Sequence, residues 1–477
     1  MYSILDGGAL QNIIPALTQV KRSVSAFRRL MSSGTPDAVR NNINVSSQIN
    51  QLEGPNLLVA LVGLPCRGKT FVSEKLSRYL NWIDFKSRVF HLSDYRRLLN
   101  DDIPGNRLFM PGHPEWEEQR KHCLDTLFSD IWNWFEGEFD HIAIMDASNC
   151  TLDRRQYIKD ACSEHKTNLL FIEVITNDPK LIKASLQNVE LNHPDYVSMS
   201  REEAIRDFNE RIKAYEKSYE PMTPEKDDCP YIKFVDAGRQ VFLHHVHGHL
   251  FTKIAAYLVN IHSTNRCIYL TRHGESEDNI KHRIGGNSKL SSYGKHYAHA
   301  LGEYINSEDI PDLQVWTSKL HRTIQTAAHI EAPTISWQAL NELNAGEFDC
   351  FAYSELRSNH KDEYKARQEN KFFYRYPKGE SYADLVVRLD PVIMELERSS
   401  NVLVICHQGV IRCLLAYFLG KSTKELPFID TPLHVLYKLT PKSYGCDLEL
   451  IKFDNIPICR FLSDNSLSDV FEDQNES

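Results

Sequence analysis

The chain has 477 residues, a length that favours two or three domains. Hydrophobic residues make up 42% of it and charged residues 25%, and the net charge is −9. This acidic balance gives no overall basic field to hold nucleic acid or an anionic membrane, so an anionic substrate requires a local basic cluster. The 11 cysteines lack a C-x-x-C pair and no apolar run reaches the ~18 residues of a membrane span, which predicts a soluble cytoplasmic protein.

The first 53 residues form an extension with three open interpretations. Apolar residues recur at helical spacing from Leu10 to Val20, and a basic run follows from Lys21 to Arg29. This composition fits a regulatory or docking extension, a mitochondrial presequence or plain disorder. Ser32 and Ser33 come just after the basic run, so a regulatory protein kinase is a candidate partner.

Residues 54–262 show the alternation of strand and helix that is typical of an α/β domain. Short apolar runs predict buried parallel strands, and longer amphipathic patterns predict helices. The predicted strands are Leu57–Val62, Val89–Leu92, His141–Met145 and Leu169–Val174. The predicted helices are Lys69–Leu80, Pro114–Phe135, Asp153–Glu164, Arg201–Lys217 and Val241–Val259, and the polar segment His262–Arg266 follows as a linker.

A phosphate-binding motif, G-x-x-x-x-G-K-[ST], lies between the first strand and the first helix. Its residues are Gly63, Leu64, Pro65, Cys66, Arg67, Gly68, Lys69 and Thr70. Glycines let successive backbone N–H groups face a polyphosphate at the positive end of the following helix. Lys69 would neutralise the β- and γ-phosphates and Thr70 would hold Mg²⁺, so the motif predicts nucleotide binding.

Further polar residues at strand ends would complete a phosphoryl-transfer site. Asp146 ends the strand His141–Met145, where a Mg²⁺ ligand or a base for the acceptor hydroxyl belongs, although a helix N-cap is the alternative. An anionic acceptor needs its own cations, and loops at strand ends line the crevice of an open sheet. The candidates are Arg96, Arg120, Arg154 and Arg211, each of which alone is more often a solvated surface charge.

Residues 263–453 predict a second α/β domain, so the fold class is two doubly wound domains, and an acidic tail covers residues 454–477. The predicted strands are Ile268–Leu270, Val315–Trp316 and Val402–Ile405. The predicted helices are Tyr293–Ile305, Leu320–His329, Asp384–Glu397 and Val410–Phe418.

The sequence Arg272–Glu275, read R-H-G-E, closes the first strand of the second domain. A neutral imidazole at His273 could attack phosphorus, while fixed cations stabilise the charge on the phosphoryl oxygens. Arg272 offers a planar fork beside it. Arg322 and His407 follow neighbouring strands and should reach the same sheet edge.

A leaving alkoxide would need an acid, and Glu342 is the best-placed carboxylate by motif. It would first protonate the leaving oxygen and then deprotonate the attacking water. Arginine and histidine carry the electrostatics, so the second site needs no metal. Read alone, Glu342 is a surface carboxylate and His273 a loop histidine, so the constellation carries the prediction.

Both sites together resemble the bifunctional 6-phosphofructo-2-kinase/fructose-2,6-bisphosphatase family, over about Leu57–Ile451. The matching segments are Gly63–Thr70, Asp94–Arg97, Asp146–Asn149, Pro194–Tyr196, Arg272–Asn279, Arg283–Gly286, Val315–Ala327, Tyr374–Tyr382, Val392–Glu397 and Val402–Gly420. The resemblance implies a kinase that makes fructose 2,6-bisphosphate from ATP and fructose 6-phosphate, with Mg²⁺. It also implies a fused phosphatase that removes the 2-phosphate through a phosphohistidine, without a cofactor, in a cytosolic homodimer.

The resemblance also assigns residues. Phosphate-binding positions are Arg272, Asn279, Gly285, Arg322 and His407, with His273 as nucleophile and Glu342 as acid. Positions that hold the remaining sugar phosphate are Tyr353, Arg367, Lys371, Tyr382, Gln408 and Arg412. Fructose 6-phosphate positions of the kinase are Arg96, Arg120, Ser148, Arg154, Arg211 and Tyr215. Asn287 departs from the usual aspartate.

The kinase half departs more seriously from the family pattern. Glu190 stands where the family has a lysine near the transferring phosphate, Ser185 replaces an asparagine and Thr176 a cysteine. At an effective dielectric of ~20 a like charge beside phosphates costs several kcal/mol. We therefore expect weak or absent kinase activity unless Arg67 or another cation substitutes.

Two alternatives to the bifunctional enzyme remain open. One is a monofunctional fructose-2,6-bisphosphatase whose catalytically dead P-loop domain senses nucleotide. The other is a broad phosphatase or phosphomutase of the histidine class, against which Arg367 and Lys371 argue because they supply a second anion site.

Overall fold

The computed structural model of the chain describes residues 56–99, 116–182, 201–261, 266–442, 445–454 and 456. The N-terminal extension with Ser32 and Ser33, and most of the acidic tail, lie outside these ranges. The described residues contain two mixed six-stranded sheets, one in each half, which confirms the predicted pair of α/β domains. No helix among them is long and apolar enough to cross a membrane.

The first sheet has the strand order β2-β3-β1-β4-β5-β6, in which β6 is antiparallel to β5 and the other pairs are parallel. Its strands are β1 (Leu57–Val62), β2 (Ser87–His91), β3 (Ile142–Asp146), β4 (Asn168–Ile175), β5 (Tyr231–Val235) and β6 (Gln240–His244). Its helices are α1 (Lys69–Trp82), α2 (Leu92–Leu99), α3 (Glu117–Phe135), α4 (Leu152–Glu164), α5 (Arg201–Ser218) and α6 (His249–Asn260).

The predicted helix Val241–Val259 is wrong over its first half. Residues 240–244 form β6, which pairs with β5 across a turn that contains Gly238 at φ 88°. The helix α6 begins only after Gly248, whose φ of 86° is incompatible with a helix that continues through it. Strand β5 was not predicted, and without its partner the edge strand was read as a continuation of the helix. The predicted strand Val89–Leu92 is shifted, because Leu92 already begins α2.

The second sheet has the order β12-β11-β7-β10-β8-β9, in which β11 is antiparallel to both of its neighbours. Its strands are β7 (Ile268–Arg272), β8 (Gln314–Thr317), β9 (Thr334–Ser336), β10 (Val402–Cys406), β11 (Val435–Lys442) and β12 (Gly445–Lys452). Its helices are α7 (Glu277–Ile280), α8 (Ser292–Ser307), α9 (His321–Ala327), α10 (Tyr353–Asn359), α11 (Lys361–Glu369), α12 (Tyr382–Arg398) and α13 (Gln408–Leu419). Strands β9, β11 and β12 were not predicted, and the predicted helix Leu320–His329 is shortened.

Apolar layers cover both faces of each sheet, as their continuous apolar strands predict. In β1 all six residues are at most 2% exposed, and alternate residues join two different core clusters. Strand β10 divides in the same way: Val402 and Val404 belong to one cluster, and Leu403 to another. The cluster that takes Val402 also contains residues of β1, so one core is shared by the two halves.

A buried carboxylate joins the two halves at their contact. Glu397 on α12 is fully buried; its Oε2 lies 2.5 Å from Lys75 Nζ of α1 and 2.7 Å from Arg266 Nη2. The hydroxyl of Tyr417 on α13 donates to Glu397 Oε1 at 2.6 Å. Arg266, predicted to end a polar linker, is thus a buried structural residue, whereas residues 262–265 lie outside the described chain.

Aromatic residues extend this contact on the α1 side. Tyr79 stacks on Tyr257 of α6 at 4.2 Å between ring centroids and donates a hydrogen bond to Asp390 Oδ1 at 2.8 Å. Trp82 Nε1 donates to the backbone oxygen of Cys413 on α13 at 3.0 Å. Helix α1 therefore packs against α13 through specific polar contacts as well as apolar ones.

Replacement of Glu397 by glutamine should lower the free energy of unfolding by about 3–5 kcal/mol, because Lys75 and Arg266 would remain buried without an anion. Denaturant unfolding at pH 7 measures this loss. The matched control is Glu395→Gln on the same helix. Glu395 pairs with the exposed Arg398, so this variant should lose less than about 0.5 kcal/mol in its free energy of unfolding. Equal losses in the two variants would contradict the prediction.

The contact of Glu397 with Lys75 and Arg266 also makes the stability of the protein depend on pH. Burial raises the pKa of Glu397, but the charges of Lys75 and Arg266 outweigh burial and lower it to about 2. The unfolded value is about 4.3, so the stabilisation is present above that pH and is lost as pH falls towards 2. The Gln variant should lack this part of the acid destabilisation.

Candidate active sites

The predicted phosphate loop between β1 and α1 has a backbone that only glycine permits at its start. Gly63 has φ 135°, and a Cβ there would lie 2.4 Å from the backbone oxygen of Val174. Its N–H donates to the backbone oxygen of Ser148 at 2.8 Å, which ties the loop to the end of β3. Gly68, with φ 91°, precedes the first residue of α1. The loop therefore joins the end of β1 to the N-terminus of α1 at the edge of the sheet where β3 also ends.

The motif's polar side chains meet the predicted carboxylate. Thr70 Oγ1 donates to Asp146 Oδ2 at 2.6 Å, and the buried Lys69 Nζ donates to the backbone oxygen of Leu64 at 2.7 Å. Burial lowers the pKa of Lys69, although the charge of Asp146 acts in the opposite direction. The hydroxyl and carboxylate oxygens are ligands that Mg²⁺ prefers, so these residues fit a magnesium–nucleotide complex.

A histidine that the sequence did not reveal completes this cluster. His91, at the end of β2, lies between two carboxylates: Nδ1 is 3.0 Å from Asp146 Oδ2 and Nε2 is 2.9 Å from Glu74 Oε1. Burial lowers the pKa of His91, but these hydrogen bonds outweigh burial and raise it to about 10. Burial raises the pKa of Asp146, yet the bonds from His91 and Thr70 leave it lowered. Asp146 is thereby held as a carboxylate.

Most of the predicted acceptor-binding residues are brought together beside this cluster. Burial lowers the pKa of Arg154 and that of Arg120. The nearby charge of Arg96 lowers both pKa values further. Burial raises the pKa of Tyr215, but the charges of Arg96 and Arg211 reverse that shift. Like charges held this close repel one another, so an anion placed among them would be stabilised.

The second site begins where β7 and β10 end together. Arg272 pairs with Cys406 in the parallel register, and His273 N–H donates to the backbone oxygen of Cys406 at 3.0 Å. This places the His273 and His407 rings 5.1 Å apart between centroids. Both imidazoles are buried, as the predicted convergence of strand ends requires.

The hydrogen bonds of His273 define its tautomer. Its Nδ1 lies 2.7 Å from the carbonyl oxygen of Gly274, which can only accept, so Nδ1 carries the proton. Arg322 Nε donates to His273 Nε2 at 3.0 Å, which requires a lone pair on that nitrogen. Burial, followed by the charges of Arg322 and Arg272, lowers the pKa of His273 well below its usual value. The ring is therefore neutral and carries its lone pair on Nε2.

Cations and a second imidazole surround that nitrogen. Arg272 Nη1 donates to the backbone oxygen of Thr431 at 2.9 Å, and burial lowers its pKa to about 10, so it stays charged near neutral pH. Arg322 Nη1 donates to the backbone oxygen of Gly286 at 2.7 Å. His407 Nε2 lies 2.8 Å from Ser318 Oγ, while Nδ1 has no hydrogen-bond partner among the residues that the structure describes. These groups could hold an oxyanion.

The predicted acid is seated on the N-terminus of α13. Glu342 Oε2 accepts from the N–H of Gln408 at 3.1 Å, and Oε1 accepts from those of Gly409 at 3.2 Å and Leu343 at 2.9 Å. Backbone donors at a helix N-terminus stabilise a negative charge. The carboxyl group of Glu342 is therefore held within the wall that carries His407.

One cavity of about 620 Å³ collects the predicted residues of this site. Every one of them except the fully buried His407 lines it, namely Arg272, His273, Asn279, Gly285, Arg322, Glu342, Tyr353, Arg367, Lys371, Tyr382, Gln408 and Arg412. Three further buried cations line the same cavity, namely Arg367, Lys371 and Arg412. Arg367 Nε donates to Tyr376 Oη at 2.9 Å, Arg412 Nη1 donates to Tyr382 Oη at 3.1 Å, and Lys371 Nζ sits 5.0 Å from the Phe428 ring centroid.

The loop Ile284–Asn287 carries a glycine and the one departure noted in this domain. Gly285 has φ 69°, and a Cβ there would lie 1.8 Å from Asp349 Oδ1, so a larger residue would strain the backbone and displace the Asp349 side chain. Asn287 Oδ1 accepts from the N–H of His321 at 2.9 Å, at the start of α9. An amide oxygen fills this accepting role, which explains why asparagine is tolerated in place of aspartate.

Two supporting residues of the second site, Ser318 and Thr326, were not predicted from the sequence. Ser318 contacts His407, and Thr326 Oγ1 accepts from the N–H of Gly274 at 3.0 Å. Both lie in the family-like segment Val315–Ala327, where hydroxyl residues beside Arg322 were a usable signal. In the first domain Thr176 Oγ1 donates to the backbone oxygen of Arg67 at 3.1 Å. Ser185, Glu190 and the segment Pro194–Tyr196 lie outside the described residues.

Comparisons with known proteins divide the chain into two matched parts. A family described as 6-phosphofructo-2-kinase matches residues 44–265, and the histidine phosphatase superfamily (branch 1) matches residues 268–454. 6-phosphofructo-2-kinase/fructose-2,6-bisphosphatase 1 of Homo sapiens is 48% identical over 85% of this chain and 86% of its own length. 6-phosphofructo-2-kinase/fructose-2,6-bisphosphatase 3 of Pongo abelii is 45% identical over 85% of this chain and 80% of its own length. 6-phosphofructo-2-kinase/fructose-2,6-bisphosphatase of Aquarana catesbeiana is 46% identical over 85% of this chain and 86% of its own length.

Replacement of Arg322 by alanine should raise the pKa of His273, because the variant loses a positive charge that opposes protonation. Nitrogen NMR of histidine-labelled protein measures this, with His273→Asn identifying the resonance. The wild-type ring should stay neutral from pH 8 to pH 6, and the variant ring should begin to titrate at a higher pH than the wild type. The control Arg375→Ala removes an exposed arginine paired with Asp384 and should leave His273 unchanged. A shift in the control but not in Arg322→Ala would contradict the assignment.

Proposed function

The chain belongs to the bifunctional 6-phosphofructo-2-kinase/fructose-2,6-bisphosphatase family, and on that premise we propose that its two sites catalyse opposing reactions. The first site makes fructose 2,6-bisphosphate from ATP and fructose 6-phosphate, and Glu190 makes this the weaker of the two activities. The second hydrolyses the 2-phosphate, which returns fructose 6-phosphate and inorganic phosphate. The chain therefore controls the level of fructose 2,6-bisphosphate.

One observation carries the phosphatase assignment: a neutral His273 Nε2, bonded to Arg322, faces a cavity that is also lined by Arg272 and by three further buried cations. A bisphosphate needs two anion sites in one cavity. Arg367, Lys371 and Arg412 would hold the 6-phosphate, while Arg272 and Arg322 would contact the oxygens of the 2-phosphate. This distribution favours a bisphosphate over a substrate with a single phosphate.

The phosphatase reaction proceeds in two steps. His273 Nε2 attacks phosphorus, a P–N bond forms, and the bond from phosphorus to O2 of the sugar breaks as Glu342 gives O2 a proton. The carbonyl of Gly274, which accepts from Nδ1, stabilises the positive charge on the phosphorylated ring. Glu342 then takes a proton from water, whose oxygen attacks phosphorus as the P–N bond breaks. The proton that Glu342 takes from water in the second step replaces the one it gives in the first, so the acid returns to its starting state.

The kinase site would bind ATP with Mg²⁺. The backbone of Gly63–Thr70 and the Lys69 ammonium would hold the phosphates, and Thr70 with Asp146 would provide oxygen ligands. Bound Mg²⁺ supplies charge neutralisation between the phosphate groups. Fructose 6-phosphate would place its phosphate among the four arginines and Tyr215, with Ser148 close to the loop. His91 would keep Asp146 ionised.

The same family membership suggests a cytoplasmic homodimer. Strand β6 is an edge of the first sheet, and Phe242 and Leu243 on it are 54% and 57% exposed. An edge strand with exposed apolar residues favours pairing with a second chain. Sites for a regulatory protein kinase at Ser32 or Ser33 remain a proposal about residues outside the described chain.

Replacement of His273 by alanine should reduce hydrolysis of fructose 2,6-bisphosphate by about 10³-fold or more, because the variant lacks the nucleophile. Rapid quenching with substrate labelled at the 2-phosphate should trap an acid-labile phosphoenzyme in wild type and none in the variant. EDTA should leave hydrolysis intact and abolish any kinase activity. The control replaces the exposed His282 at the cavity wall by alanine, and this variant should still form the phosphoenzyme. A labelled His273→Ala protein would disprove the mechanism.

Replacement of Glu190 by lysine should raise the kinase rate by about tenfold or more, since each 1.36 kcal/mol is about tenfold. The assay follows fructose 2,6-bisphosphate formation from ATP and fructose 6-phosphate with Mg²⁺, in a phosphatase-dead His273→Ala background. The control Glu190→Gln removes the charge without adding a cation and should give a smaller gain. If neither variant gains while an ATP analogue still binds, the first domain is a nucleotide sensor.

A further inference from the structure

The acid of the proposed phosphatase reaction lies on a loop that needs external support. Glu342 sits between two short 3₁₀ turns, Gln338–Leu340 and Gly346–Phe348, and no strand or long helix includes it. A catalytic group must stay within about 0.5 Å of its working position. Contacts to neighbouring elements must therefore fix this loop.

We propose that Arg388 is a positioning residue for Glu342, an inference that rests on the proposed phosphatase reaction. Arg388 projects from α12 and is 22% exposed. Its Nη1 donates to the backbone oxygens of Ala339 at 2.6 Å and Asn341 at 3.0 Å, and its Nη2 donates to that of Glu342 at 3.4 Å. One guanidinium thus contacts three carbonyls, the last belonging to the acid itself.

Glu380 locks this guanidinium in place and holds the far end of the same loop. Arg388 Nε and Nη2 donate to Glu380 Oε1 and Oε2, both at 2.9 Å, which is a bidentate pair with a defined direction. Glu380 Oε2 also accepts from the N–H of Asn344 at 3.0 Å, and the Glu380 N–H donates to the Asn344 oxygen at 2.8 Å. The Arg388–Glu380 pair therefore spans the loop on both sides of Glu342.

The backbone and the side chain of the acid are fixed by two different helices. Helix α12 holds the loop through Arg388, and the N-terminus of α13 holds the carboxylate through Gln408 and Gly409. Arg388 itself does not line the cavity. We therefore expect its effect on the reaction to pass through Glu342 rather than through contact with the substrate, and a variant that keeps the positive charge leaves its electrostatic effect on His407 in place.

The test replaces Arg388 by lysine, which keeps the positive charge but loses the fork that reaches three carbonyls. We expect kcat on fructose 2,6-bisphosphate to fall by about 10- to 100-fold, because a displacement of about 1 Å can have this effect. KM should change by less than about twofold, since the 6-phosphate contacts are intact. The control Arg398→Lys alters an exposed pair on the same helix and should leave kcat unchanged.

A double-mutant cycle with Glu342→Gln decides whether the effect passes through the acid. In single-turnover phosphoenzyme formation, Arg388→Lys should cause no further loss once Glu342 is glutamine. An additive loss, or a raised KM with unchanged kcat, would overturn the inference. Should Arg388→Lys fail to fold, Glu380→Gln breaks the same pair and enters the same cycle. Wild-type enzyme without a phosphoenzyme would instead refute the proposed reaction.

Discussion

The parallel pairing of β7 with β10 is the constraint on which the phosphatase site depends. Its last hydrogen bond, from His273 N–H to the Cys406 oxygen, places one histidine directly after each of two adjacent strands. Because both strands end at the same sheet edge, His273 and His407 lie side by side without any loop having to position them. Arg322 comes to the same edge from the helix after β8, which pairs with the other side of β10. Main-chain geometry thus brings together side chains that are far apart in sequence.

The first domain applies the same rule to a different chemistry. Strands β1 and β3 are parallel neighbours, so the loop at Gly63 and the carboxylate of Asp146 meet at their ends. The bond from Gly63 N–H to the Ser148 oxygen continues this pairing beyond the strands. Charge then sets the finer arrangement: His91 arrives from β2, the other neighbour of β3, and stabilises the anion that Thr70 also contacts. Strand order therefore decides which residues meet, and hydrogen bonds decide their protonation states.

Strand-end motifs were predictable because their position in a parallel sheet follows from sequence order. Arg272, His273, Asp146 and the Gly63–Thr70 loop belong to that class. Residues that act by holding others were not predictable: Arg388 and His91 work through carbonyls and carboxylates that only the folded chain brings near. Edge strands were also missed, since β6 is half exposed and lacks the continuous apolar run that marked β1. Local pattern identified most of the buried parallel strands and the polar residues at their ends but missed β5 and β11, which long-range pairing reveals.

The shared core links the two sites more closely than the order of domains along the chain implies. Helix α1 begins at the phosphate loop with Lys69, and helix α13 begins directly after His407 and carries the donors to Glu342. These two helices touch through Trp82 and Cys413, and Glu397 holds a residue of each within one buried network. A shift of α1 along its axis would have to displace α13 or break that network, because close-packed interiors do not deform gradually. Each active site therefore rests on a helix whose position is set in part by the other domain.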